Sequence, residues 1–363
     1  MNKLLEKKYA LLGKTGNKGE TLGSRFKNVI SNSTIHFLFF LVLIWVVGYL
    51  SIEKILPYSW GSAFAITFSY AIAAVGFCLL MGYSGLASLG TGGFIGIGTY
   101  AVYYIVQQGK LRFGISIIVA LLVAAIIGII VGFISLRIEG IYLVILTLGL
   151  SEILRNLYMV VEDRIRLSNF TIFTSFKLER KHAIFVVGLA LVLIMIITHN
   201  LINSPTGRAM LAMKNSTAAA QAMGISLLKY RLMAFVICTM YAALSGVMLM
   251  ITVRSAMASD GNGFYALITS LNILAAVIIG GYKSIWGAVF GAFVMYGMQT
   301  VIFQRVEFLQ KNPIIITFIS GILVILVVMF YPGGLAQLLV EIKGKIKKLC
   351  SKMREVRYGK DLG

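Results

Sequence analysis

Charge is what this sequence has least of. Asp, Glu, Lys and Arg make up 13% of its 363 residues, against about 25% in an ordinary soluble domain. With a mean hydropathy of +0.90, that scarcity excludes a water-soluble globular fold. Cysteine is nearly absent: Cys78, Cys238 and Cys350 stand far apart, two of them inside apolar runs, which excludes a disulfide framework and a zinc-type ligand spacing. The three histidines, His36, His182 and His199, fall at the ends of apolar runs. No Ser/His/Asp or metal-binding constellation accompanies them, so catalysis by this chain lacks its usual residues and no bound cofactor or metal is expected. Acidic residues number only 13 and form no relay across the apolar runs of the kind a proton-coupled pump uses. A nucleotide loop is missing too: Gly13-Lys14-Thr15 resembles the end of a P-loop, but Lys8 stands where the pattern needs glycine.

What is abundant is apolar sequence, 59% of the chain. A membrane span needs about 20 mainly apolar residues, and ten intervals qualify: 35–52, 62–81, 87–106, 114–136, 140–157, 183–202, 232–253, 264–280, 285–303 and 313–330. The expected fold is all-α and polytopic, with about ten transmembrane helices, some broken or short. The first run is too long for a cleaved signal and ends without a small-residue cleavage site, so residues 1–33 are expected to stay as a basic cytoplasmic tail. The formal net charge of +20 comes from bases clustered in tails and loops, which fits anionic lipid and the positive-inside rule and not nucleic acid. An N-terminus inside places 21 of the 33 bases in the cytoplasm and returns the C-terminus to the same side. The loop 158–182 runs against the trend, holding Arg164, Arg166, Lys177, Arg180 and Lys181 among Glu162, Asp163 and Glu179 on the outer side. The expected domains are the tail 1–33, a transmembrane domain 34–340 containing a loop at 203–230, and a basic tail 341–363. In that last tail Ile342, Ile346, Leu349 and Met353 have helical spacing among Lys and Arg, as in a helix lying on lipid or a solvated basic tail.

Three further features carry a functional question. Residues 204–224, SPTGRAMLAMKNSTAAAQAMG, read as one or two short surface helices: Ser204 is an N-cap, Pro205 a first helical residue and Gly224 a C-cap. Such a segment either joins two spans or pushes on a partner. Glycine is concentrated in GYSGLASLGTGGFIGIG, residues 82–98, and in GGYKSIWGAVFGAF from residue 280. Small residues let helices approach closely in lipid, while Gly-interrupted apolar segments also mark broken helices around a pathway, one in each half of the chain. Glu152 and Arg155 lie three apart on one helical face and either pair with each other or serve a substrate.

Several of these stretches resemble the branched-chain amino acid ABC transporter permease family: GYSGLASLGTGGFIGIGTY (82–100), RIEGIYLVILTLGLSEILR (137–155), GRAMLAMKNSTAAAQAMGISLLKYRLMAF (207–235), residues 280–291 and Pro332-Gly333-Gly334-Leu335. The resemblance implies a multi-pass subunit of an importer in the cell membrane, working beside a second permease subunit in a homo- or heterodimer. It implies two cytoplasmic ATPase subunits, which bind the ATP, and an extracytoplasmic substrate-binding protein. It makes the 204–224 segment a coupling helix, with Gly207, Arg208, Lys214, Ala219, Ala220 and Gly224 as the expected contacts to the ATPase. The expected pathway positions are Gly82, Ser84, Gly85, Ser88, Thr91, Gly92, Gly93, Gly280 and Gly281. Two departures stand out: Asn215 and Thr217 replace the family's usual acids, and Gly90-Thr91-Gly92-Gly93 replaces Gly-His-Ala-Ala. A branched-chain amino acid is the expected cargo, with a nucleoside, a sugar or urea and short amides as alternatives, and a stand-alone secondary transporter or channel as the rival of another class.

Overall fold

The computed structural model describes residues 22–53, 58–108, 113–135, 140–165, 182–253 and 267–302, with isolated positions between 315 and 335. Among the described residues the regular structure is helical throughout. With no water available in a bilayer, each apolar segment must satisfy its own backbone, and only a helix does so within one segment.

The helices are α1 (Leu22–Ile52), α2 (Tyr58–Leu79), α3 (Thr91–Val102), α4 (Phe113–Ser135), α5 (Ile141–Ile165), α6 (Ala183–Asn203), α7 (Pro205–Asn215), α8 (Thr217–Ala222), α9 (Leu227–Val253), α10 (Leu267–Gly280) and α11 (Ile285–Ala292). Three of them run into wider π-helical turns: α2 through Leu80–Ser84, α3 through Tyr103–Gln108 and α11 through Phe293–Ile302. Among the described residues five helical stretches are long and apolar enough to cross a membrane, Trp60–Ser84, Phe113–Ser135, Ile141–Val161, Ala183–Asn203 and Leu227–Val253, and four shorter apolar ones accompany them. These match the first nine expected intervals. The tenth, 313–330, falls largely outside the described residues, as do most of the N-terminal tail and all of 341–363.

Several boundaries differ from expectation for physical reasons. Helix α1 begins at Leu22, inside the segment expected as a tail. Helix α5 continues beyond 157 to Ile165, carrying Glu162, Asp163 and Arg164 with it; residues 166–181 of the basic loop lie outside the described residues. Helix α3 starts at Thr91 and not at 87, because residues 85–90 are non-helical.

The bundle is built around α2 and α9, whose lengths are mostly buried, while α4 and α5 are mostly exposed. Helix α4 shows the logic of packing in lipid. Its inward stripe is Ser116, Ala120, Ala124, Gly128 and Gly132, whereas Ile118, Leu122, Ile126 and Ile130 point outward. Lipid is as apolar as isoleucine, so large residues gain nothing by facing inward and small ones gain close contact. Thr239 of α9 meets this stripe at Gly128 and donates to the Ala124 carbonyl (3.4 Å).

The crossing of α3 and α9 is tighter still. A Cβ on Gly98 would overlap the Ala243 carbonyl oxygen, and one on Gly246 would overlap the Ile95 carbonyl oxygen. At one end of the bundle Phe37 stacks on Trp286 (5.4 Å between centroids) and meets His199 edge-on (5.5 Å). The first apolar turn of α1, the end of α6 and the start of α11 are thereby gathered on one face, as alternating threading of the spans requires. Glu152 and Arg155 of α5 form an ion pair at 2.6 Å.

Candidate coupling and translocation site

The connector 204–224 folds as two helices. The Ser204 hydroxyl accepts from the Gly207 N–H (3.4 Å), with Pro205 at the first helical position. Ser216 breaks the helix in an extended conformation (φ −156°, ψ 112°) and caps the second one by accepting from the Ala219 N–H (3.3 Å). Gly224, at φ 76°, closes α8: its N–H donates to Gln221 O (2.9 Å) and the Ile225 N–H to Ala220 O (2.9 Å). That pair of bonds is the Schellman arrangement expected of a C-terminal glycine.

The expected coupling residues divide by direction. Gly207 and Ala220 are buried, along with Met210 and Met213. A Cβ on Gly207 would overlap the Ile202 carbonyl, so glycine is required at that close approach. Arg208, Ala219 and Gly224 are exposed, and the Arg208 guanidinium donates to Asn203 O (3.3 Å). Beside them Leu211 and Met223 present apolar side chains to solvent, Met223 with 83% of its surface exposed. An open groove of about 530 Å³ lies next along the chain, lined by Gln221, Gly224, Ile225, Leu228 and Arg231 among others. Met223 and Leu211 gave no signal in the sequence, since an exposed apolar residue looks the same there as a buried one.

Of the two cations in this set, Arg208 is exposed and Lys214 turns inward. Its ammonium donates to Gly82 O (2.8 Å) and Met81 O (3.1 Å) and lies 4.6 Å from the centre of the Tyr282 ring. Its stem crosses Gly85, where a Cβ would come to 3.2 Å from the lysine Cγ. Burial first, then repulsion from Lys283, holds its pKa below the ordinary lysine range, with Cys78 acting in the opposite direction. The carbonyls it meets are those a helix end leaves without donors. Here the Leu80 oxygen is taken by the Gly85 and Leu86 N–H groups, and Lys214 takes the next two.

The expected pathway glycines lie against this point. Gly85 leaves the π turn at φ 75°, and Gly281 turns at φ 101° after α10. The two breaks touch: a Cβ on Gly82 would overlap the Tyr282 carbonyl, Cys78 Sγ donates to that same oxygen (3.2 Å) and the Tyr83 hydroxyl donates to Lys283 O (3.2 Å). Gly280 abuts Gly287, and Gly334 from the Pro-Gly-Gly-Leu stretch packs on Gly281.

From Gly85 the chain passes through buried, non-helical backbone whose polar groups are met by neighbouring spans. The Ser84 hydroxyl bonds to Leu80 O (2.6 Å), and that of Ser88 accepts from Gly90 N–H (3.3 Å). Leu89 N–H donates to the Thr147 hydroxyl (3.0 Å), Gly92 N–H to Ser270 (2.8 Å) and Gly93 N–H to Ser151 (2.9 Å), while the Tyr158 hydroxyl donates to Gly93 O (2.8 Å). Thr91, Gly92 and Gly93 are therefore buried and braced from α5 on one side and α10 on the other. None of Thr147, Ser151, Ser270, Tyr158, Cys78 or Tyr282 stood out in the sequence, because a hydroxyl or thiol in an apolar run carries no pattern of its own. Among the described residues no group of three or more His, Cys, Asp or Glu is placed to hold a metal ion.

A multi-pass bundle with two broken helices meeting a capped surface connector is the architecture of a membrane permease. The chain belongs to the branched-chain amino acid transport system permease component family, whose pattern matches residues 60–328. It is similar to the high-affinity branched-chain amino acid transport system permease protein LivM of Escherichia coli (strain K12), 27% identical over 300 residues, covering 74% of this chain and 68% of that protein. LivM of Salmonella typhimurium (strain LT2) matches to the same extent, 27% over 300 residues. No solved structure matches the chain.

Proposed function

We propose that this chain is the permease subunit of an ATP-driven importer of branched-chain amino acids, receiving its cargo from an external binding protein. Two cytoplasmic ATPase subunits and a second permease subunit complete the assembly, and both termini of the chain lie in the cytoplasm. The cargo is taken from the LivM relatives. The mechanism rests on one observation: the capped α7–α8 unit exposes Leu211, Ala219 and Met223 at the same end where it reaches, through Lys214, the break between α2 and α3. An ATPase groove that receives the exposed face can then move α7 as a rigid body, and α6 and α9, which flank the connector, rock with it. With Asn215 and Thr217 in place of acids, this contact is governed by shape and apolar burial more than by charge pairs.

The test is uptake by proteoliposomes holding the chain with its partner permease, the ATPase and the binding protein. Labelled leucine, isoleucine or valine should accumulate only with ATP inside and the binding protein outside. Accumulation driven by an ion gradient without the ATPase would overturn the reading in favour of a secondary transporter.

A further inference from the structure

The connector and the broken-helix segment meet across 132 residues of sequence, from Gly82 to Lys214, and one side chain ties them. Helix α7 is held rigidly by its Ser204 cap and by buried Met210 and Met213, and Lys214 is the basic residue of its last turn. The Lys214 ammonium fills the two carbonyls left open at the end of α2, Met81 and Gly82. Below it the Tyr282 ring belongs to the turn between α10 and α11, and the backbone of that turn is held to α2 by Cys78 and Tyr83. The cation, carried by the connector, therefore contacts two further elements at once: the π turn that ends α2 and the turn between α10 and α11.

We infer that Lys214 is a positioning residue for transport, a latch that couples movement of α7 to the 81–90 segment. This rests on the coupling reading above. With α7 in its present place, the ammonium neutralises the carbonyl end of α2 and pins the chain at Gly82 and Gly85. When α7 shifts, the ammonium is withdrawn, two carbonyls lose their donor, and the non-helical stretch leading to Thr91 is released to rearrange. A cation suits this task because its bonds to carbonyls are strong but carry no directional framework of their own, so they break and re-form without refolding either helix. Glycine at 85 leaves room for the lysine stem, and the partial negative charge at a helix C-terminus favours its head.

The experiment measures ATP hydrolysed and substrate taken up on the same proteoliposomes of the complete transporter. Wild type must show ATP-dependent uptake; if it does not, the function proposed above has failed and not the latch. Lys214→Met should leave assembly with the ATPase intact and hydrolysis within about twofold of wild type, while uptake per ATP falls by about tenfold or more, the scale of losing a charge-assisted hydrogen bond. Lys214→Arg should recover most of the lost coupling, and Lys229→Met, at an exposed lysine on α9, should match wild type. A second variant, Tyr282→Leu, removes the ring under the ammonium and keeps the two carbonyl bonds; it should lower uptake per ATP to an intermediate degree, and it decides the matter if Lys214→Met does not assemble. The inference is overturned if Lys214→Met keeps the wild-type ratio, if uptake and hydrolysis fall together in proportion, or if Tyr282→Leu leaves the ratio unchanged.

Discussion

The crossing of α3 and α9 offers the sharpest test of the packing. Gly98 faces the Ala243 carbonyl and Gly246 faces the Ile95 carbonyl, so each helix presents a glycine to the other's backbone. An ordinary carbon contact begins near 3.4 Å, and an added methyl at either glycine lies more than an ångström inside that limit. Since the obstacle is backbone and not a side chain that can swing away, the helices themselves must part by about 1 Å. Overpacking of this kind costs about 1–3 kcal/mol, so Gly98→Ala and Gly246→Ala should each lower the melting temperature of the purified protein by several degrees in detergent. The double variant separates this explanation from loss of helix propensity. Once the helices have parted for one methyl, the second meets less resistance, so the combined loss should fall short of the sum by about 0.5 kcal/mol or more. Gly149→Ala is the opposing control: nothing lies within 4 Å of its added Cβ, and alanine in a helix should raise stability by about 0.5–1 kcal/mol. Neutral single variants, or a strictly additive double variant, would refute the backbone-contact account.

Three further outcomes are expected. Ser151→Ala and Ser270→Ala each orphan a buried N–H, of Gly93 and Gly92, and should cost about 1–3 kcal/mol in a detergent melt, with faster amide exchange at the affected glycine. Met223→Glu should abolish co-purification of the ATPase while leaving the melting temperature of the isolated permease unchanged, because that side chain is exposed. Lys214 binds its proton more weakly in the folded chain than a lysine ordinarily does; the unfolded chain then holds more protons between the two pKa values, so this group makes stability rise with pH through the window below the usual lysine pKa. Carbon-13 NMR of reductively methylated protein, assigned with Lys214→Arg, should show that resonance titrating below the ordinary lysine range.

Features written in local sequence were legible, and those written between distant segments were not. Ser204, Pro205 and Gly224 announce the ends of the connector because a cap is made by residues three or four positions away. Ser216 is a cap as well, but next to Asn215 and Thr217, which can also cap a helix, it does not by itself show where the connector divides. The spans could be placed from charge-free runs, since exclusion of charge from lipid acts on each segment alone. The start of α3 at Thr91 escaped because residues 85–90 are held out of a helix by Thr147 and by the Leu80 carbonyl, and nothing in a uniformly apolar run reports those partners. The inward turn of Lys214 was hidden for the same reason: its acceptors are backbone oxygens, which every residue carries.

Both broken helices finish in π-helical turns, after α3 and after α11, and α2 enters its break through a third. A π turn is wound with i→i+5 bonds where the α-helix uses i→i+4. Handing one bond from the first pattern to the second advances the chain by about 1.5 Å and rotates the residues beyond it by about 100°. Each broken helix thus carries slack as a looser winding that can travel along the helix one bond at a time. A helix with such slack can present a different face to its neighbours while its ends stay where they are.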